Sequence, residues 1–330
     1  MEKVIAVVVT YNRQALLCEC INALRSQTRK PDTILVVNNG SSDSTEQWLQ
    51  SQKDLVSITQ KNVGSGGGFN TGISAAFKMG GTWVWCMDDD GYPKEDALEL
   101  LLGASDEDLL LRNCAVIDKE DKKTFVWKTQ QYNTLDEVDC KIIHGIGHPF
   151  NGTLLHRKVI ERVGVPDGKF FLWGDETEYF YRITKKNKIP VCTVAESIHY
   201  HPRTAFSYKN DWDYATGWKM YYYIRNRYHI QTAKFNSKIL ASINYACFLM
   251  AFAGIIMIYQ KTDKIRKLNF IMWPAADALT RNFKADLPFV LSRLKEPKQS
   301  AVSKINTYFK SIWFALSGGL ASSRRTAANA

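Results

Sequence analysis

No C-x-x-C pair occurs in this 330-residue chain, and no H-E-x-x-H run, so the common zinc signatures are missing. The seven cysteines stand apart at 18, 20, 86, 114, 140, 192 and 247. Cys18 and Cys20 are too close for an ordinary bridge, and reduced thiols in a cytoplasmic protein are expected. No secretory signal is expected: the apolar run Val4 to Val9 is too short and leads straight into TYNR. Internal repeats and low-complexity tracts are absent. No nucleic-acid motif with defined spacing appears, so nucleic acid is not an expected partner. Long apolar runs are scarce; the exception is Ile239 to Tyr259, 21 residues without a charge. That length can cross a bilayer, lie in its interface or fill a core. Lysine and arginine flank both ends and give no orientation, and peripheral attachment or packing is preferred over a span.

What is present describes a folded protein: 45% hydrophobic and 23% charged residues. The net charge of +10 admits nucleic acid, anionic lipid or a phosphorylated substrate. Acidic and basic residues mix evenly to about residue 200. Beyond that, cations interleave with aromatics in Tyr221 to Arg227, Lys261 to Lys267 and Lys304 to Trp313, a pattern that suits a membrane surface. The chain therefore divides into 1–205 and a basic, aromatic, helical region 206–330. Helical appendages of this kind often dimerise, which leaves a homo-oligomer open.

The first hundred residues alternate short β-rich runs with helical stretches. EKVIAVVVTYNR, TILVVNNGSSDST and TWVWCMDDDG each carry an apolar run into a polar turn. QALLCECINALRSQ places Leu16, Leu17, Cys20, Ile21 and Leu24 on one helical face. The rhythm predicts an α/β fold, a mainly parallel sheet with helices on both faces. Ligands of such sheets sit beyond the carboxyl ends of the strands, where Thr10 to Arg13, Asn38 to Asp43 and Asp88 to Asp90 all fall.

Three adjacent aspartates behind an apolar run repel one another and are costly to desolvate, and a solvated turn would explain an isolated DDD. At a strand end they suit a hard divalent cation, Mn²⁺ or Mg²⁺, that leaves positions for phosphate oxygens. Asp88 and Asp90 share a side and are the expected ligands; Asp89 faces elsewhere, toward a ribose or sugar hydroxyl. His199 and His201, two apart on a strand, face the same way, and one can complete the coordination. In FFLWGDETEYFYRI, Asp175 and Glu176 read either as a solvated helix start or as the place of a general base. KNVGSGGGFNTG reads as a flexible loop, or as a backbone that approaches a sugar or phosphate through Lys61, Asn62 and Gly67, with the next helix near Thr71 to Met79.

VVVTYNR, VVNNGSSDST, KNVGSGGGFNTG, WCMDDDG, WGDETEYFYR and IHYHP, in this order and spacing, resemble family 2 glycosyltransferases of the Rossmann-like GT-A fold over about residues 3–205. The glycine-rich stretch with DDD is similar to the bacterial galactofuranosyltransferases and their rhamnosyltransferase relatives. YYYIRN and DALTRNF resemble the helical C-terminal region of that branch.

The resemblance implies that Thr10, Tyr11, Arg13 and Asn38 line the nucleotide. It implies that Asp88, Asp90 and one of His199 and His201 hold the cation, and that Trp173 stacks on a sugar face. It places Glu176 as the base, with Asp175 as a live alternative. The implied reaction is inverting transfer, with UDP-galactofuranose as first-choice donor and dTDP-rhamnose as second, to a lipid-linked or polysaccharide acceptor in cell-surface glycan synthesis. The enzyme would sit at the inner face of a membrane. A sugar nucleotidyltransferase is less well matched, because TYNR stands where it would need a basic glycine-rich loop. A non-catalytic module with DDD as a calcium site is the third reading.

Overall fold

The computed structural model describes residues 2–104, 109–127, 129, 131–203, 207 and 209–295. The basic stretch Lys304 to Trp313 lies outside the described residues. The chain forms two compact units, Met1–Phe171 with Asp175–Ala205, and Leu172–Gly174 with Phe206–Ala330.

In the first unit the elements run β1 Val4–Thr10, α1 Gln14–Arg25, β2 Thr33–Asn38, α2 Thr45–Ser51, β3 Leu55–Thr59 and α3 Gly64–Lys78. Then come β4 Trp83–Asp88, β5 Tyr92–Pro93, α4 Ala97–Gly103, β6 Leu111–Asp118, β7 Ile142–His144 and β8 Asn151–His156. The unit closes with α5 Arg157–Val163, α6 Asp175–Tyr181 and β9 Val191–His201.

Among the described residues the strands form one sheet in the order β3-β2-β1-β4-β8-β6-β9-β5, with β7 on β9. β3, β2, β1 and β4 pair in parallel, as do β6 and β9. β8 is antiparallel to both β4 and β6, so the sheet is mixed. β1 is buried along its whole length, which is why VIAVVVT is apolar without alternation. Its odd and even residues serve different cores. Val4, Ala6 and Val8 pack with α1 and α4, while Ile5, Val7 and Val9 pack with α3, α5 and α6. Val9 pairs with Asp88 and Thr10 with Asn38, so three strands end at one level.

The glycine run is a helix, where a loop was expected. α3 begins at Gly64 and contains all four glycines of VGSGGGF. Glycine in a helix interior costs about 1 kcal/mol against alanine. Contact with β1 explains the choice: a Cβ on Gly68 would stand 2.5 Å from Val9 Cγ1, and one on Gly72 2.4 Å from Val7 Cγ1. The helix lies directly on the central strand because no side chain intervenes.

The second unit holds α7 Trp218–Lys234, α8 Lys238–Tyr259, α9 Lys264–Leu279 and α10 Leu287–Lys295. Its interior is aromatic and polar together. Tyr221 packs on Trp273 at 4.5 Å and donates to Asp277 Oδ2 at 2.7 Å. Arg225 is buried over the Tyr222 ring, and buried Lys267 pairs with Asp211 at 2.7 Å.

Gly72→Ala is expected to lower stability by about 1–3 kcal/mol through overpacking, despite alanine's helix propensity. Gly103→Ala, at the end of α4 with nothing within 4 Å, is expected to be neutral or stabilising. Chemical denaturation of both variants checks the pair.

Candidate active site

The site is built where β1 and β4 end. Asp89 is buried, and its Oδ2 accepts from Thr10 Oγ1 at 2.7 Å while its Oδ1 accepts from Arg13 Nη1 at 3.2 Å. The same Arg13 nitrogen donates to Asp90 Oδ2 at 2.7 Å. Arg13 is thus the cation that the fold sets against two of the three aspartates.

The second oxygen of Asp90 has a different neighbour. Asp90 Oδ1 is buried without a hydrogen-bond donor and stands 3.4 Å from His201 Nε2. His201 Nδ1 lies 2.7 Å from the carbonyl of Pro202, and since a carbonyl only accepts, the ring proton sits on Nδ1. In the neutral ring Nε2 therefore offers a lone pair toward the carboxylate oxygen. Two acceptors facing each other invite either a proton or a cation. Trp127 packs on the His201 ring at 5.3 Å and on His148 at 4.8 Å, fixing the imidazole's plane.

Electrostatics tie the acids together. Burial pushes Asp88 well above the ordinary carboxylate range, and repulsion from Asp90, Asp89, Glu176 and Asp175 adds to it. Burial raises Asp89 to about 6 despite Thr10 and Arg13. Burial opposes ionisation of Asp90 too, but the imidazole of His201, when it carries a second proton, and Arg13 outweigh it and hold the group at about 2. On α6, burial lifts Asp175 to about 6 against the hydroxyl of Ser65. Burial and then the charge of Asp175 lift Glu176 to about 8. Five carboxylates thus share one low-dielectric region, a standing demand for positive charge.

Asp175 and Glu176 differ in access. Asp175 is buried and its Oδ2 accepts from Ser65 Oγ at 3.0 Å, whereas Glu176 is half-buried. Ser65 sits in the first turn of α3, inside the glycine run, where only the glycines drew notice. Asn151 is the other unanticipated neighbour: its buried Oδ1 has no partner, and it pairs with Met87, next to Asp88. Nothing in its sequence surroundings marks it.

Several expected site residues are placed otherwise. Asn38 is 0% exposed; its amide donates to Glu46 at 2.6 Å and its Oδ1 accepts from the Ser41 N–H at 3.0 Å. It shapes the turn after β2, with both amide atoms engaged within the protein. Gly67 is buried within α3, where a Cβ would stand 2.4 Å from Val63 Cγ2, so it serves packing. Asn62 Oδ1 accepts from the Gly64 N–H at 2.9 Å and starts α3; Lys61 is exposed beside it. Tyr11 is 45% exposed at the end of β1. His199 is fully buried with both ring nitrogens unpartnered, and burial lowers it to about 3. Among the described residues no three His, Cys, Asp or Glu side chains converge as a ready metal cage. The anticipated set Asp88, Asp90, His199 and His201 is not assembled in this arrangement. The orphaned Asp90 Oδ1 facing His201 Nε2, with repelled Asp88 nearby, nevertheless fits a hard cation.

Trp173 belongs to the second unit. Asn226 Nδ2, on α7, donates to the carbonyls of Leu172 at 2.9 Å and Trp173 at 2.8 Å. Trp173 and Gly174 have φ of +55° and +105°, a left-handed stretch that costs free energy for tryptophan. A Cβ on Gly174 would stand 2.8 Å from Ile230 Cδ1. The Trp173 ring meets Tyr223 edge-on, and Lys219 Nζ lies 5.6 Å from its centroid. The YYYIRN segment therefore clamps the three residues that precede Asp175 in the chain.

The first unit is thus a mixed sheet with helices on both faces and acids gathered where its parallel strands end. The glycosyl transferase family 2 model matches residues 5–164. Galactofuranosyltransferase GlfT1 of Mycobacterium tuberculosis H37Rv is 31% identical over 215 residues, 61% of this chain and 70% of that protein. GlfT1 of Mycolicibacterium smegmatis is likewise 31% identical, over 61% of this chain and 71% of the relative. The crystal structure of Staphylococcus aureus TarS 1–349 superposes with a TM-score of 0.56 at 14% identity, over 96% of this chain and 92% of that one, a likeness of fold. The chain belongs to glycosyltransferase family 2. It is a sugar-transferring enzyme of GT-A type that resembles the galactofuranosyltransferases.

Because Glu176 holds its proton more tightly folded than unfolded, its stabilising contribution is full below about 4.5 and is lost as pH rises through about 8. In chelator, Glu176→Gln is expected to raise Tm over the parent at pH 8–9 by several degrees, roughly 2–4 °C per kcal/mol, and not at pH 4–5. Thermal melts across that range check the sign.

Proposed function

We propose that this enzyme transfers galactofuranose from UDP-galactofuranose, with inversion, to a lipid-linked or polysaccharide acceptor in cell-surface glycan synthesis, at the cytoplasmic face of a membrane. The observation that carries the chemistry is the convergence of DDD with His201 and with the Asp175–Glu176 pair. The likeness to GlfT1, a galactofuranosyltransferase by name, supports the donor.

Glu176 is the base in this reading. The residue is half-buried, and its carboxylate lacks the Ser65 hydroxyl that occupies Asp175. It takes the proton from an acceptor hydroxyl, whose oxygen attacks the anomeric carbon. The bond from that carbon to the diphosphate oxygen breaks on the opposite side, so one displacement inverts the configuration. Arg13, already bridging Asp89 and Asp90, orients the acidic turn beside the nucleotide. Asp90 and His201, with Asp88, would hold Mn²⁺ or Mg²⁺, which when bound supplies charge neutralisation for the departing diphosphate. Burial of Glu176 itself, and then the charge of Asp175, keep the base's proton affinity high enough to accept from an alcohol.

The test is UDP release from UDP-galactofuranose with Mn²⁺, against dTDP-rhamnose and other UDP-sugars. Metal-dependent turnover of UDP-galactofuranose, abolished in Asp88→Ala, is expected. Turnover of dTDP-rhamnose alone would overturn the donor, pyrophosphate as product would favour a nucleotidyltransferase, and no metal-dependent binding of any nucleotide sugar would overturn the reading.

The rate is expected to rise with pH as Glu176 ionises. Glu176→Gln should lose that limb and about 10²- to 10⁴-fold in kcat, with donor binding kept. Asp175→Asn behaving as the more damaging of the two would move the base to Asp175. Steady-state pH profiles decide.

A further inference from the structure

α8 is apolar on both sides. Its inner face sets Ala241, Tyr245, Phe252 and Ile256 in the packing with α7 and α9. Its outer face carries Ile239, Ile243, Met250 and Met257, at helical spacings of four, seven and seven, exposed by 73%, 55%, 67% and 54%. A helix that is apolar all round is ordinarily covered everywhere. Here one side is packed and the other, among the described residues, is open.

Length does not say what covers it, since 22 residues reach roughly 33 Å, enough to cross a hydrocarbon layer or to lie along one. The packed face does. Tyr245 Oη donates to the carbonyl of Ile224 at 3.0 Å, and the Arg227 guanidinium lies 5.3 Å from the Phe248 ring, so α7 is bound to α8 at mid-length. α7 carries Lys219, Arg225, Arg227 and Lys234, and α9 opens with Lys264, Arg266 and Lys267. A spanning α8 would draw these cations into the hydrocarbon or shed both neighbours. An α8 lying flat keeps them on the water side.

Charge selects the partner. Lys234 and Lys238 stand at the start of the helix, and Lys261 and Lys264 at its end, with Lys209 Nζ 5.3 Å from the Tyr259 ring. The chain has no acidic residue between Asp213 and Asp263. A second copy related by a twofold would set cationic ends against cationic ends. Anionic headgroups complement both ends at once.

We propose that α8 docks flat on an anionic phospholipid surface, with Ile239, Ile243, Met250 and Met257 in the acyl layer and the lysines at its ends among the headgroups. The surface rests on the membrane acceptor proposed above and gives it a physical form: the enzyme meets its lipid-linked substrate without a span.

The full chain offers its own probe, because Cys247 is exposed on α8. With Cys18→Ser and Cys140→Ser removing the other accessible thiols, an environment-sensitive fluorophore on Cys247 is expected to blue-shift with phosphatidylglycerol vesicles. It should respond little to phosphatidylcholine vesicles, and less as salt rises. Depth quenching should return one shallow depth for probes at 239, 247 and 257. Ile243→Asp with Met250→Asp is expected to weaken vesicle binding by about tenfold or more while leaving turnover of the soluble donor unchanged. A probe deepest at 247 and shallow at 239 and 257 would mean a span and overturn the proposal. So would no shift, a concentration-dependent shift without vesicles (a second copy), or a concentration-independent one (cover by the chain's own segment 296–330). Vesicle binding needs no turnover, so a protein that docks but transfers no sugar would sink the function proposed above and leave this surface standing.

Discussion

The desolvation of carboxylates at the end of the buried central strands is the constraint around which the first unit is arranged. β4 delivers Asp88, Asp89 and Asp90 into a region that water reaches poorly, and each is answered differently. Asp89 receives the Thr10 hydroxyl and Arg13; Asp90 receives Arg13 and faces His201; Asp88 receives no comparable partner and bears the repulsion of four other acids. The first two are stabilised by neighbours from the end of β1 and the turn after it, which is possible because Val9 and Asp88 share a register. Removing that register would leave buried charge without an answer.

The glycines of α3 belong to the same economy of space. Seated on Val7 and Val9 without side chains between, α3 brings its first turn to Asp175, where Ser65 donates. Its neighbour Glu176 is left half-buried and unclaimed, with its proton affinity raised by burial and by Asp175. One acid of the pair is thus engaged by a hydroxyl of the protein and the other is not, a difference set by environment alone.

In the second unit, polar groups are buried in pairs while apolar surface is left outside. Arg225, Lys267 and Asp277 are buried, each with partners, and Asn226 grips a strained turn that contains Trp173. The outer face of α8 shows the reverse, large apolar side chains in the open. Soluble surfaces rarely keep such a stripe without use.

The strand and helix rhythm of the first hundred residues was legible because strands covered on both faces must be apolar throughout, as VIAVVV and WVWCM are. DDD was legible as chemistry because three like charges behind such a strand demand compensation. What composition could not show was which neighbour compensates which group. Asn38 turns inward to Glu46, the glycine run is helical because Val7 and Val9 lie beneath it, and β8 inserts antiparallel between β4 and β6 through pairings far apart in the chain. The sequence by itself determined the parallel half of the sheet, the acidic strand end and the apolar helix, since each follows from local pattern. Tertiary structure decided the facing of Asp90 and His201, the separate environments of Asp175 and Glu176, and the side of α8 left open, since burial and hydrogen bonding depend on residues that only the fold brings together.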